Sequence, residues 1–440
     1  MELQIEKLVY GGDGLARLPA DEQGHGKTVF LPYVIPGELV DATLTQSRSG
    51  FVRARVDRIL TPSRSRVAAD CPYFERCGGC QYQHIDYEAQ LEFKVEVLRE
   101  TLRRTGKIEL HREIQRHASP PWHYRNRTRV RLQHAPKFEI GYFRANTHEL
   151  LAVEQCPLSS PLVNRALATM WDMGRAGQIP TSIHGMQFFA SHDDSTLLVE
   201  VYVRPQSKSA QVLAFAESLS AGLPPVKGVA IFVASPVEDE SRQLAPLTSV
   251  HNEAATVAGQ GHLTYHAGGH DYRVSAGSFF QTNRFLVDDL VATAVGSAQG
   301  ALALDLYAGV GLFTRPLTAK FQEVVAVEAS AHSITDLRHN APSGVKAIRA
   351  TTEAFLAQQA RGFKPDFILL DPPRAGLGEK ATAGLGRTTA SMVTLVSCDP
   401  ATLSRDLRLL LESGFKVEQA HLLDLFPQTA HMETVLHLVR

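Results

Sequence analysis

The stretch Leu302-Ala-Leu-Asp305-Leu-Tyr307-Ala-Gly309-Val-Gly311 decides the fold. An apolar run of strand length passes into a turn built on two glycines, and a second apolar run, Val324 to Glu328, follows and ends in an acid. The same alternation continues through Lys346 to Arg349, Phe367 to Asp371 and Met392 to Ser397, with helix-like stretches between. Short apolar runs separated by amphipathic segments predict a parallel sheet covered by helices on both faces. The region from Ala301 onward therefore reads as a doubly wound α/β domain of Rossmann-like type. In such sheets ligands bind outside the carboxyl ends of the strands, so residues placed there by the pattern are the candidates for chemistry.

The first candidate is the glycine turn itself. Gly309 and Gly311 let backbone approach a nucleoside cofactor, and Glu328, at the end of the next strand, is placed to hold ribose hydroxyls. A dinucleotide fingerprint wants a third small residue, but position 314 is Thr. With Asp305 ahead of the turn, the pattern suits S-adenosylmethionine better than a nicotinamide cofactor. Asp371-Pro-Pro-Arg374 falls on the same rim, where a carboxylate and a guanidinium fixed by two prolines can grip a planar heterocycle. Cys398 ends the fifth strand directly before Asp399-Pro400, an N-cap followed by a first-turn proline. A helix N-terminus favours a thiolate, which marks Cys398 as a nucleophile rather than filler. Downstream, Asp424-Leu-Phe-Pro-Gln-Thr-Ala-His431-Met-Glu433 is a loop leading into a last apolar strand that Glu433 begins. A carboxylate there is a candidate base.

Outward from this domain the chain changes character. Residues 1–60 alternate short β-rich runs with glycine-rich or polar turns, which suggests a small β-barrel, and Thr61-Pro-Ser-Arg-Ser-Arg66 reads as a linker. Residues 67–269 form a central α+β region, beginning with Cys71, Cys77 and Cys80 and a helical pattern from Asp86 to about Arg104. Cys156, far along the chain, is a possible fourth thiolate. Four thiolates suit an iron-sulfur cluster or structural zinc, although the five-residue spacer departs from paired zinc-ribbon spacing. The spacing also lacks the pattern of radical S-adenosylmethionine enzymes. In Trp122-His-Tyr-Arg125-Asn-Arg127-Thr-Arg129-Val-Arg131 the arginines alternate and so share one face of a strand, suited to an RNA backbone.

Composition sets limits on partners. The 440 residues carry a formal net charge of -1, so the whole chain does not advertise a nucleic-acid partner. Locally it does: Arg99 to Arg131 holds ten Arg or Lys against three acids. Five cysteines, an odd number, argue against a disulfide framework. No apolar run approaches the ~20 residues of a membrane span, and Met1 to Leu8 carries acids where a signal peptide carries bases. A cytoplasmic protein that contacts no membrane is expected.

Taken in order, these motifs resemble a family, the iron-sulfur RNA uracil-5-methyltransferases that act on 23S ribosomal or transfer RNA. The match is carried by Tyr124-Arg-Asn, Ser278-Phe-Phe-Gln-Thr-Asn283, the Asp371 loop, Ser397-Cys-Asp-Pro-Ala-Thr-Leu403 and His431-Met-Glu-Thr-Val435, and it covers nearly the whole chain. The resemblance implies a TRAM domain, an OB-like RNA-binding barrel, over residues 1–60, a [4Fe-4S] cluster on Cys71, Cys77, Cys80 and Cys156 with zinc as the second choice, and a class I methyltransferase domain over 270–440. It implies Cys398 as nucleophile and Glu433 as proton acceptor, with Gln281, Asp305, Tyr307, Gly309, Gly311, Glu328 and Asp371 at the cofactor. Arg125, Arg127, Arg129, Phe280 and Arg374 are then expected at the RNA. Asp399 stands where the family often has Asn, and Thr351 where an acid is expected near the adenine. Ribosomal RNA is favoured over transfer RNA as substrate, with no obligate protein partner and a monomeric state expected. The rival readings are weaker. A non-catalytic RNA-binding protein would have damaged Cys398 or Glu433, a nicotinamide oxidoreductase lacks its third small residue, and a DNA cytosine methyltransferase wants Pro where Ser397 stands.

Overall fold

The computed structural model describes residues 1–19, 26–205, 207, 209–233, 256–359 and 364–440. Residues 20–25 of the expected barrel, and 206, 208 and 234–255 of the expected central region, lie outside the described residues.

Its largest sheet has eight strands. Across it run Lys346–Arg349, Phe321–Glu328, Gly300–Leu306, Phe367–Leu370, Met392–Ser397, Glu433–Val439, Lys416–Leu423 and Ile114–His117. The first five are parallel, and Glu433–Val439 runs antiparallel to both its neighbours. Strand order grows outward from Gly300–Leu306 in both directions. The glycine turn that leaves this strand therefore opens at the switch point, where helices diverge and leave a crevice. Near-continuous burial of Phe367–Leu370 and Val393–Ser397 shows why these runs lack polar alternation: helices cover both faces.

The eighth strand comes from far upstream. Ile114–His117 pairs in parallel with Lys416–Leu423. Before it, Asp86 caps the helix Tyr87–Thr101 by accepting from the Ala89 amide. Val97, Leu98, Leu102, Ile108 and Ile114 share one core with Leu403, Leu407 and Leu410. Residues 87–117, which chain order groups with the central region, are thus built into the C-terminal core.

The remaining central residues form a seven-stranded sheet, Leu150–Ala152, Glu139–Phe143, Arg127–Gln133, Ile183–Ala190, Leu197–Val203, Val226–Val233 and Thr256–Gly259. On one face, Val130, Met186, Phe188 and Val199 pack with helices Pro161–Arg175 and Ser209–Gly222. Phe189, Leu198, Tyr202 and Phe232 join the hairpin of His262–Ala267 and His270–Ser275 in a core that continues into the eight-stranded sheet. At the N-terminus, six strands within residues 2–61 curl about Leu3, Ile5, Val29, Leu31, Val40 and Val52. Three register shifts between Leu39–Ser47 and Phe51–Thr61 supply the curvature. No helix among the described residues is long and apolar enough to cross a membrane.

Candidate active site

The carboxyl rim of the large sheet is assembled from strand ends. Tyr307, Gly309 and Gly311 take φ of +62°, +56° and +94°, so the chain leaves Gly300–Leu306 through a left-handed turn that glycine makes possible. A Cβ at Gly311 would come within 2.8 Å of Leu337, whereas one at Gly309 would meet nothing within 4 Å. Gly311 closes packing and Gly309 leaves open space. Asp305 is fully buried, with one oxygen taken by the Thr314 hydroxyl and Oδ1 without a hydrogen-bond partner. Burial pushes its carboxyl up to about 7. Glu328 accepts from the Gly309 amide at 2.8 Å and the Ser330 amide at 2.6 Å, which fixes it beside the turn. Glu353 lies close enough to help burial push Tyr307 up to about 12. An acid therefore does approach this pocket, two residues beyond Thr351.

Cys398 and Glu433 are brought together by register. Ser397 lies opposite Thr434 in the antiparallel pair, so the next residue of one strand meets the first residue of the other. Glu433 is 4% exposed, and burial raises its carboxyl well above the usual range, with the Asp371 charge adding to the effect and Arg374 opposing it. Asp371 is itself raised to about 7 by burial, and Gln281 Nε2 stands 3.5 Å from its Oδ2. At Cys398 the sequence expectation of a favoured thiolate is reversed. The predicted cap is present, with Asp399 Oδ1 accepting from Ala401 and Thr402 at 3.0 and 2.8 Å. Even so, burial first and the Glu433 charge second push the thiol up to about 12. One helix end contributes less than desolvation beside three carboxylates, Glu433, Asp371 and Asp399.

The loop leading to Glu433 is clamped by residues that the sequence analysis missed. Lys94 donates to Asp424 at 2.6 Å and to the Phe426 carbonyl at 3.0 Å, and both charged side chains are fully buried. Gln90 bonds with Gln428 through both its oxygen and nitrogen. Tyr124 donates to the Pro427 carbonyl, and Asn283 to that of Leu425. A usable signal existed: Gln90 and Lys94 are polar residues four apart on the same helix face as Val97 and Leu98, where a simple core helix is apolar.

Of the two phenylalanines of the 278–283 motif, the one expected at the RNA is buried and its neighbour is exposed. Phe280 is 2% exposed and packs on Tyr265, while Phe279 is 61% exposed. The arginines alternate as expected, but their face turns toward aromatic rings: Arg127 lies 4.1 Å over Phe189 and Arg129 3.9 Å over Tyr202. Arg127 also donates to the Ser278 carbonyl at 2.8 Å. Arg127 thereby supports the loop that carries Phe279 and Gln281.

Cys71, Cys77, Cys80 and Cys156 are all free thiols. They are near neighbours, since the charge of Cys156 bears on each of the other three. Cys80 packs with Tyr124, Leu158, Phe74 and Trp122, and the Arg125 guanidinium favours a thiolate there. In kind and number the donors fit a metal cluster. As placed, no three His, Cys, Asp or Glu among the described residues are arranged to hold a metal ion.

Comparison with known proteins names this arrangement. Residues 86–440 match the tRNA (Uracil-5-)-methyltransferase family, and residues 1–56 match the TRAM domain. The chain belongs to the tRNA (uracil-5-)-methyltransferase family. It is an S-adenosylmethionine-dependent RNA uracil-5-methyltransferase. The chain is 32% identical to the 23S rRNA (uracil(1939)-C(5))-methyltransferase RlmD of Halomonas elongata, over 99% of this chain and 89% of that one. The same enzyme of Pectobacterium atrosepticum is also 32% identical, over 96% and 90%. Among solved structures, the Pyrococcus abyssi tRNA (uracil-54, C5)-methyltransferase in complex with S-adenosyl-L-homocysteine covers 100% of both chains with TM-score 0.75. At 22% identity that likeness establishes the shared fold.

Proposed function

We propose that this chain methylates carbon 5 of a uridine in 23S ribosomal RNA, with Cys398 as nucleophile and Glu433 as the base. The observation that carries the reading is the register that sets Cys398 beside Glu433 on the rim shared with Asp371 and Arg374. Carbon 5 of uracil is too weak a nucleophile to attack a methyl donor unaided. Addition of Cys398 Sγ to carbon 6 breaks the ring double bond and moves its electron pair toward carbon 5 and the 4-oxygen. Arg374 and Gln281 are the groups that stabilise that developing charge. S-adenosylmethionine supplies the methyl group as a sulfonium. Asp305, with its unpartnered buried Oδ1, and Glu328 beside the Gly309 turn are the residues that hold it. Glu433 then takes the carbon 5 proton, the double bond re-forms, and Cys398 leaves. Its own thiol proton must depart before attack, and Asp371 is the neighbouring carboxyl placed to receive it.

The target base has to leave its stack to reach this rim. Phe279, exposed two residues before Gln281, offers a face on which a flipped or flanking base can stack. The ribosomal assignment is supported by nearly full-length similarity to two 23S enzymes, whereas the transfer-RNA enzyme shares the fold at lower identity. We assign Cys71, Cys77, Cys80 and Cys156 to a [4Fe-4S] cluster, supported by four free thiols in an apolar setting beside Arg125. Its role is to tie residues 71–80 to the 156 loop and shape the RNA-facing side, because methyl transfer moves no net electrons.

The test is transfer of labelled methyl from S-adenosylmethionine to purified 23S RNA and, separately, to transfer RNA. Label in 23S RNA as 5-methyluridine is expected. Label only in transfer RNA would overturn the target, and label in neither the activity.

A further inference from the structure

We propose that Tyr10, from the N-terminal TRAM domain, is a positioning residue of the methyl-transfer site, holding the Asp399 carboxylate so that its charge opposes the Cys398 thiolate less. The inference rests on the assignment of Cys398 as nucleophile. Tyr10 sits in the turn between Lys7–Leu8 and Gly14–Arg17, and its hydroxyl donates to Asp399 Oδ2 at 3.0 Å. That contact spans 389 residues of sequence. The turn is seated firmly. Gly12, at φ +99°, lies where a Cβ would be 2.7 Å from Gln81 Cβ and 3.2 Å from Ala430 Cβ, between the cysteine-rich segment and the loop that ends at Glu433. Tyr10 itself packs against the core that contains Leu403, Ala430 and Met432.

The electrostatics give this contact a consequence. Cys398 faces Glu433 from the last strand, Asp371 and Arg374 from the loop after Phe367–Leu370, and Asp399 from its own helix cap. His431 stands nearby, held neutral at ordinary pH because burial pulls it down to about 4. Three carboxylates oppose the thiolate and a single guanidinium supports it. Asp399 Oδ1 already serves the Ala401 and Thr402 amides, which leaves Oδ2 as the oxygen free to project charge. A donor on Oδ2 withdraws that charge. Tyr10 supplies it and thereby couples the docked TRAM domain to the nucleophile's proton affinity.

The experiment is alkylation of Cys398 by iodoacetamide at fixed pH between about 8 and 10, followed on the full-length protein by mass spectrometry of its peptide. Y10F is expected to slow alkylation by about threefold to tenfold, up to one unit of pKa, while D399N speeds it. The double variant Y10F/D399N should match D399N alone, because no charge remains to be held. A structural loosening by Y10F would expose the thiol and speed the reaction, the opposite sign. Unchanged or faster alkylation in Y10F overturns the proposal, as does slowing that persists in the D399N background. The underlying assignment fails separately, if Cys398→Ala still methylates RNA.

Discussion

The molecule holds its five cysteines in two settings that share burial and differ in charge. Around Cys398 stand Glu433, Asp371 and Asp399, with Arg374 as the opposing cation among the described residues. Around Cys80 stand other thiols and Arg125, in a pocket of Tyr124, Leu158, Phe74 and Trp122. Burial raises both thiols to about 12. The neighbours decide what each can become. Carboxylates next to Cys398 favour its thiol form, and in the proposed mechanism they double as proton acceptors. A cation beside neighbouring thiols at the other site suits thiolates that stay ionised on the proposed metal. On the proposed assignments, the difference separates a sulfur that must form and break a bond in every cycle from sulfurs that hold a structure together.

The largest effect that sharpens this contrast is expected from Glu433→Gln. Removing the base should slow turnover by roughly 10²- to 10⁴-fold while leaving Cys398 able to add, so a protein–RNA adduct accumulates on unsubstituted RNA. Single-turnover methyl transfer with denaturing gels reads both, and slowing without an adduct would place Glu433 elsewhere in the reaction. Lys94→Met leaves Asp424 buried and unpaired, which costs about 3–5 kcal/mol in urea unfolding. A loss under 1 kcal/mol would mean that the loop before Glu433 is held without the pair. Phe279→Ala should weaken RNA binding by about 1–3 kcal/mol with little change in stability, whereas Phe280→Ala should act mainly on stability. Anaerobic removal of metal should lower stability and RNA affinity yet leave the Cys398 alkylation rate of the remaining folded protein unchanged. If folded, RNA-bound apoprotein lost only methyl transfer, the structural role of the four cysteines would be wrong. Last, because burial and Glu433 raise the Cys398 pKa to about 12, its alkylation in free enzyme should climb about tenfold per pH unit from pH 7 to 10. A plateau below pH 8 would show that the helix end wins after all.

Much of this was legible in the chain. The glycine turn, Glu328, Asp371 and Cys398 each end or follow a short apolar run, Glu433 begins an antiparallel one, and the strand ends of a doubly wound sheet meet on one rim. What the sequence could not show is carried by long-range packing. Nothing local announces that Ile114–His117 completes the C-terminal sheet, that Lys94 reaches Asp424, or that Tyr10 reaches Asp399. Local alternation also cannot say which face of a strand is wet. Arg127 and Arg129 do alternate, yet their face looks onto Phe189 and Tyr202. Of the adjacent pair Phe279 and Phe280, the core takes the second. The Cys398 pKa was misjudged for a related reason, since a helix N-terminus is visible in sequence and desolvation is not.

The central claim is that Cys398 adds to carbon 6 of the target uracil, and 5-fluorouridine-substituted 23S RNA with S-adenosylmethionine tests it most directly. Fluorine at carbon 5 blocks the proton removal assigned to Glu433, so the wild-type protein should form an adduct that survives denaturation and maps to Cys398. Cys398→Ala should form none. An adduct that persists in Cys398→Ala, or methylation of ordinary RNA by that variant, would contradict the account.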